Sequence, residues 1–143
     1  MKVSDILKAK GNRVVTVRPN ETISTFIKRL GLEKIGAMVV SEDGVTIEGL
    51  ITERDVVHGL ASAGAEVLAK RVCDLMTRSL STCTPDDSVK EVMVKMTQRR
   101  TRHLPVIDGQ GLAGMISIGD VVKIRLEDAE LEANVLRDYI TAR

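Results

Sequence analysis

The chain has 143 residues, with 21 basic side chains against 20 acidic ones and a formal net charge of +1. That length supports a single real core but not two large independent domains. The balanced charge supplies no global field for nucleic acid, and Phe26 and Tyr139, the only aromatics, leave almost nothing for bases to stack on.

No apolar run reaches the ~18–20 residues of a membrane span, and the start, Met1-Lys2-Val3-Ser4-Asp5, lacks a signal-peptide core. Cys73 and Cys83 form no CxxC pair and imply no oxidising compartment. The expectation is a cytoplasmic chain with neither a membrane nor a nucleic-acid partner.

In chain order, Val14-Val15-Thr16-Val17 reads as a short strand ended by Pro19. Ile23, Phe26, Ile27 and Leu30 then recur at helical spacing, with Gly31 expected to close the helix. Ala37 to Val40 is a second strand, Glu42-Asp43-Gly44 a turn, and Ile47 to Ile51 a third strand. A helix begins at Thr52 and carries Val56, Val57 and Leu60 before Gly64. The series then restarts with a strand near Leu80 to Cys83 and a helix bearing Val89, Val92, Met93 and Met96. Strands at Leu104 to Ile107 and Leu112 to Ile116 follow, and a last helix starts at Ser117. The order β-α-β-β-α occurs twice, which predicts an α/β sandwich of two packed halves.

The halves also match residue by residue. Gly49-Leu50-Ile51-Thr52-Glu53-Arg54-Asp55-Val56-Val57 returns as Gly114-Met115-Ile116-Ser117-Ile118-Gly119-Asp120-Val121-Val122. Val3-Ser4-Asp5-Ile6-Leu7 matches Val72-Cys73-Asp74-Leu75-Met76, and Ala37-Met38-Val39-Val40 matches Leu104-Pro105-Val106-Ile107. The register drifts by only a few residues, as insertions in loops allow.

The doubled unit, with Gly-apolar-apolar-Thr/Ser-x-x-Asp at its last strand and His-Leu-Pro-Val-Ile-Asp at 103–108, resembles a CBS domain pair, or Bateman module. The resemblance covers about residues 1–125. It implies repeat 1 at 1–64, a connector at 65–71, repeat 2 at 72–125 and a helical extension at 126–143. It further implies a regulatory adenine-nucleotide sensor (AMP, ADP, ATP or NAD) that associates as a homodimer. Its shared sites place Thr52, Arg54 and Asp55 opposite Ser81, Thr82, Cys83, Arg102, His103 and Pro105. A second set places Ser117 and Asp120 opposite Asn12, Arg13, Val14, Ile35, Gly36 and Ala37.

The residues themselves give a reason for such sites. Thr52 and Asp55, like Ser117 and Asp120, stand three apart at a strand-to-helix junction. A helix N-terminus offers unpaired N–H groups and partial positive charge to a phosphate. An ionised carboxylate accepts from a ribose diol, and Gly49 and Gly114 suit a close backbone approach. The same spacing is also the capping box that any helix uses, and both roles can coexist. Arg54 has Gly119 as its counterpart, and Arg102-His103 has Ile35-Gly36, so the first site is expected to hold phosphate more tightly.

The run Lys95, Arg99, Arg100, Arg102 and His103 reads as a phosphate or nucleic-acid patch, and Lys95 to Arg100 equally as a solvated helix end complementing its dipole. His58 reads as an exposed helical histidine, and the Cys and His residues match no zinc spacing, so no metal is expected. Val122, Leu126, Ala129, Ala133, Leu136 and Ile140 form one stripe on a helix predicted to reach about Ile140. That stripe is longer than a small module covers alone, which favours a partner chain over packing on the N-terminal helix at Val3 to Leu7. No nucleophile–base pair or Walker loop is present, so no enzyme is expected. A ligand-free interaction module and an S-adenosyl sensor stand as the alternatives to a nucleotide sensor with a separate, unknown regulated protein.

Overall fold

The computed structural model describes residues 1–11, 13–109 and 111–142. Its helices are α1 (Val3–Lys10), α2 (Ile23–Glu33), α3 (Glu53–Ala63), α4 (Val72–Leu75), α5 (Val89–Arg99) and α6 (Ile118–Thr141), with a 3-10 segment at Gly64–Ala69. The strands are β1 (Thr16–Val17), β2 (Ala37–Val40), β3 (Gly49–Thr52), β4 (His103–Asp108) and β5 (Gly111–Ser117). β2 pairs parallel with β1 and antiparallel with β3, and β4 pairs antiparallel with β5. The expected mixed α/β fold of two repeats with a long last helix is therefore present.

Three sequence expectations need correction. The run at Leu80 to Cys83 forms no strand; it touches β4 through a single parallel bridge, Cys83 to Val106. Cys83 N–H donates to the Pro105 carbonyl at 3.0 Å and Ile107 N–H to the Cys83 carbonyl at 2.8 Å, and no further ladder bond extends the pairing among the described residues. At β1 only Thr16 and Val17 of the expected four residues pair. Gly31 does not end α2, which runs on to Glu33 and is capped by Lys34 in the left-handed conformation (φ 55°). The Lys34 N–H bonds the Leu30 carbonyl, closing the turn that a glycine usually closes.

β2 explains how the halves meet. Successive strand side chains point to opposite faces. Met38 and Val40 thus enter one core with Val17, Ile23, Phe26, Ile51 and Val56, while Ala37 and Val39 face a second cluster with Leu50. Leu80, Leu112 and Met115 from the other repeat pack on that second cluster, so it is the seam between the halves.

The helix that opens each repeat packs in the opposite repeat. Val3 and Ile6 of α1 lie in the core of Val89, Val92, Met96, Leu104, Ile116 and Val121. Val72 of α4 lies in the core of Phe26 and Met38. Backbone bonds repeat the exchange: Val3 N–H reaches the Asp87 carbonyl at 2.9 Å, and Val72 N–H reaches the Glu21 carbonyl at 2.8 Å. Gly49 and Gly114 owe their close approach to these helices. A Cβ on Gly49 would meet Met76 Sδ at 2.7 Å, and one on Gly114 would meet Leu7 Cδ2 at 2.6 Å.

Candidate functional site

Two clefts open where the carboxyl ends of β3 and β5 turn into α3 and α6, beside the amino ends of β2 and β4. The first, of about 370 Å³, is lined by Thr52, Glu53, Arg54 and Asp55 of one repeat and by Ser79 to Ser81 and Arg99 to His103 of the other. The second, of about 470 Å³, brings Ser117 and Asp120 against Arg13, Val14, Val15 and Glu33 to Ala37, with Lys10 from α1. Both volumes fall in the range of small-molecule sites. Gly36 and His103, which correspond in the two repeats, line both clefts. They stand where the pseudo-symmetric halves meet.

Each helix N-terminus is built the same way. Thr52 N–H donates to Asp55 Oδ2 at 2.8 Å, and Asp55 N–H returns to Thr52 Oγ1 at 3.4 Å. Ser117 N–H donates to Asp120 Oδ2 at 2.8 Å, and Asp120 N–H to Ser117 Oγ at 3.2 Å. The first N–H of each helix goes to the residue just before the neighbouring strand of its own repeat: Glu53 N–H to the Gly36 carbonyl ahead of β2, and Ile118 N–H to the Arg102 carbonyl ahead of β4. The capping reading is thus realised in both copies. Capping uses one carboxylate oxygen; Oδ1 of each aspartate has no hydrogen-bond partner among the described residues.

The charges differ between the clefts. Arg54, Arg99, Arg100 and Arg102 line the first, and none of them makes an ion pair among the described residues. In the second, Lys10 Nζ sits 2.7 Å from Asp120 Oδ2 and 2.8 Å from the Met115 carbonyl, and Arg13 pairs with Glu33 at 3.3 Å. Burial pulls the Asp120 pKa upward, but hydrogen bonds from Lys10 and Ser117 outweigh it and hold the carboxyl below its ordinary value. Burial pushes the His103 pKa below its ordinary value, against the opposing pull of Glu53.

Of the residues expected from sequence, Thr52, Arg54, Asp55, Ser81, Arg102 and His103 line the first cleft, and Arg13, Val14, Ile35, Gly36, Ala37, Ser117 and Asp120 the second. Thr82, Cys83 and Pro105 line neither. Cys83 is turned into the second repeat's core, where burial raises its thiol to about 11, and the Thr82 carbonyl is taken by Lys95 Nζ at 2.7 Å. Asn12 lies outside the described residues. His58 is exposed and lines neither cleft.

Lys10, Lys34, Arg99 and Arg100 line clefts to which the sequence did not assign them. Lys34 and Arg100 each cap a repeat's first long helix in the left-handed conformation, φ 55° and 52°, and no glycine in the sequence marks either position.

A doubled α/β unit with paired clefts along its seam defines a tandem-repeat ligand-binding module. The CBS domain family matches the chain twice, over residues 3–62 and 72–127, and the chain belongs to that family as a CBS pair, a regulatory ligand-binding module. It is 34% identical to the mitochondrial CBS domain-containing protein CBSX3 of Arabidopsis thaliana, over 96% of this chain and 71% of that protein. Among solved structures it resembles the CBS-domain containing protein ATU1752 of Agrobacterium tumefaciens. That match has a TM-score of 0.84 and 43% identity, over 87% of this chain and 92% of that one. The CBS domain pair of protein MJ0100, solved with 5′-methylthioadenosine and S-adenosyl-L-methionine, matches at TM-score 0.79 and 25% identity, over 90% of this chain and 98% of that one. No helix among the described residues is long and apolar enough to cross a membrane.

Proposed function

We propose that the chain is a regulatory sensor of adenine nucleotides, which binds them in its two clefts and reports to a separate protein. The observation that carries this is the free Oδ1 of Asp55 and of Asp120, each held rigid at a helix N-terminus beside cationic side chains. A fixed carboxylate accepts from a ribose diol, while the helix terminus and arginines take the phosphate. Leu50 and Leu80 in one cleft and Val14, Ile35, Ala37 and Met115 in the other offer an aliphatic bed for adenine.

The MJ0100 complex supports an adenosyl group as the shared element. It also favours an S-adenosyl sensor as the second reading. Four unpaired arginines around the first cleft favour phosphate over a sulfonium, and we take the nucleotide as ligand. The adjoining clefts suit two mononucleotides or the halves of one dinucleotide. With no nucleophile–base constellation in either cleft, the proposed role is regulatory and non-catalytic. The exposed stripe on α6 supports a homodimer, and the proposed compartment is the cytoplasm.

A thermal-shift panel of AMP, ADP, ATP, NAD(H), S-adenosylmethionine and GMP tests the proposal. Adenine nucleotides at a hundredfold excess over Kd are expected to stabilise the fold by about 2.7 kcal/mol, with GMP inert. No shift from any ligand would overturn the sensor in favour of an interaction module. In calorimetry, Asp55→Ala should cost more AMP affinity than Asp120→Ala, since the arginines of the first cleft make no ion pair among the described residues and hold phosphate more tightly. Equal losses would refute the inequality of the clefts.

A further inference from the structure

Beyond the body of the module, α6 presents two apolar faces. Val121 and Ile124 are buried, and the exposed Leu131, Val135 and Tyr139 continue that face along the helix, where Asp128 and Asp138 interrupt it. On the opposite face Val122, Leu126, Leu136 and Ile140 are 50%, 58%, 63% and 68% exposed, with Ala129 and Ala133 exposed between them. The steps along this second face are 4, 3, 4, 3 and 4 residues, the seam of a coiled coil maintained over about 27 Å.

We propose that this face is covered by the same face of a second copy, in a parallel, in-register coiled coil. The charges that flank the seam select both the occupant and the direction. In a parallel pair, the residue just before one seam position faces the residue five further on in the other helix. Arg125 then faces Glu130 of the second copy, and Glu132 faces Arg137, each pair occurring twice by symmetry. In the antiparallel arrangement that keeps every layer filled, Glu130 meets Glu130, Glu132 meets Glu132, and Lys123 meets Arg137. All of those contacts are repulsive. The two alanine layers at 129 and 133 fit either direction, so the choice rests on the charges. The inference deepens the homodimer reading above and fixes its geometry.

The test uses the full chain carrying Cys73→Ser, with Cys83 retained because it is buried and its thiol is unreactive at neutral pH. Ala129→Cys is expected to oxidise to a disulfide-linked dimer, because residue 129 faces itself. An equimolar mixture of Ala129→Cys and Ala133→Cys should give cross-links within each variant; cross-links between the two variants only would establish the antiparallel pair and overturn the proposal. Arg125→Glu should weaken the dimer, and adding Glu130→Arg should restore it. Leu136→Asp should raise the dimer dissociation constant about tenfold or more, a change of about 1.4 kcal/mol. An unmodified chain that is monomeric by light scattering at micromolar concentration would overturn the homodimer itself. A dimer indifferent to Leu136→Asp would overturn only the coiled coil.

Discussion

Asp55 and Asp120 hold their helices with Oδ2 and keep Oδ1 for other work, so one side chain serves folding and binding at once. Their position was legible in the sequence because capping and diol recognition demand the same residue at the same spacing. The cations around them were legible only in part. Lys10 reaches Asp120 from a helix 110 residues earlier in the chain, and no local pattern encodes that contact. His103 shows what burial adds to composition. Its pKa is lowered in the fold, so the unfolded chain takes up a proton first as pH falls below about 6.5. Stability is therefore complete above that pH and declines below it. Melts at pH 7.5 and 5.5 should show a smaller acid loss in His103→Gln than in the parent. Asp120, whose lowered pKa matters only as pH approaches the carboxylate range, leaves that window undisturbed.

At the scale of elements, α3 and α6 were legible from their caps, Thr52 and Ser117, and α2 and α5 from apolar residues at helical spacing. Thr22 and Ser88 prove to cap those two as well, and all four side chains accept from the N–H three residues on. The strand expected at Leu80 to Cys83 was not formed, because a run of strand-like composition makes a strand only where a partner continues beside it. The sequence offers Gly49 and Gly114 as room for a ligand's approach; Met76, the cap of α4, and Leu7 of α1 occupy that room. Gly114→Ala would drive a methyl group into Leu7, so we expect a loss of about 1–3 kcal/mol in chemical denaturation. A Leu7→Ala change in the same chain should recover part of it, since the clash is with that side chain's end. An unchanged midpoint for Gly114→Ala would show that α1 yields freely.

For the whole molecule, the exchange of α1 and α4 ties the two repeats into one cooperative body. Val3 and Ile6 are buried among residues of the second repeat, and Val72 among those of the first. Neither repeat completes its core from its own contiguous stretch. Thermal unfolding should therefore be a single transition, with calorimetric and van't Hoff enthalpies equal, and a ligand in either cleft should raise the one Tm. Two resolved transitions would show that the halves unfold independently.

What the sequence determined by itself was the doubled unit, its helix starts and the two carboxylates at those starts. All of these rest on interactions within a few residues of one another, where spacing alone sets geometry. Which residues face each carboxylate was decided only in three dimensions. Lys10, Arg100 and the shared wall of Gly36 and His103 come together because the seam between the repeats is buried and the opening helices cross over it. Hydrophobic burial along that seam is non-directional. It fixes which surfaces meet, and through them the charges of each cleft, without leaving a periodic trace in the chain.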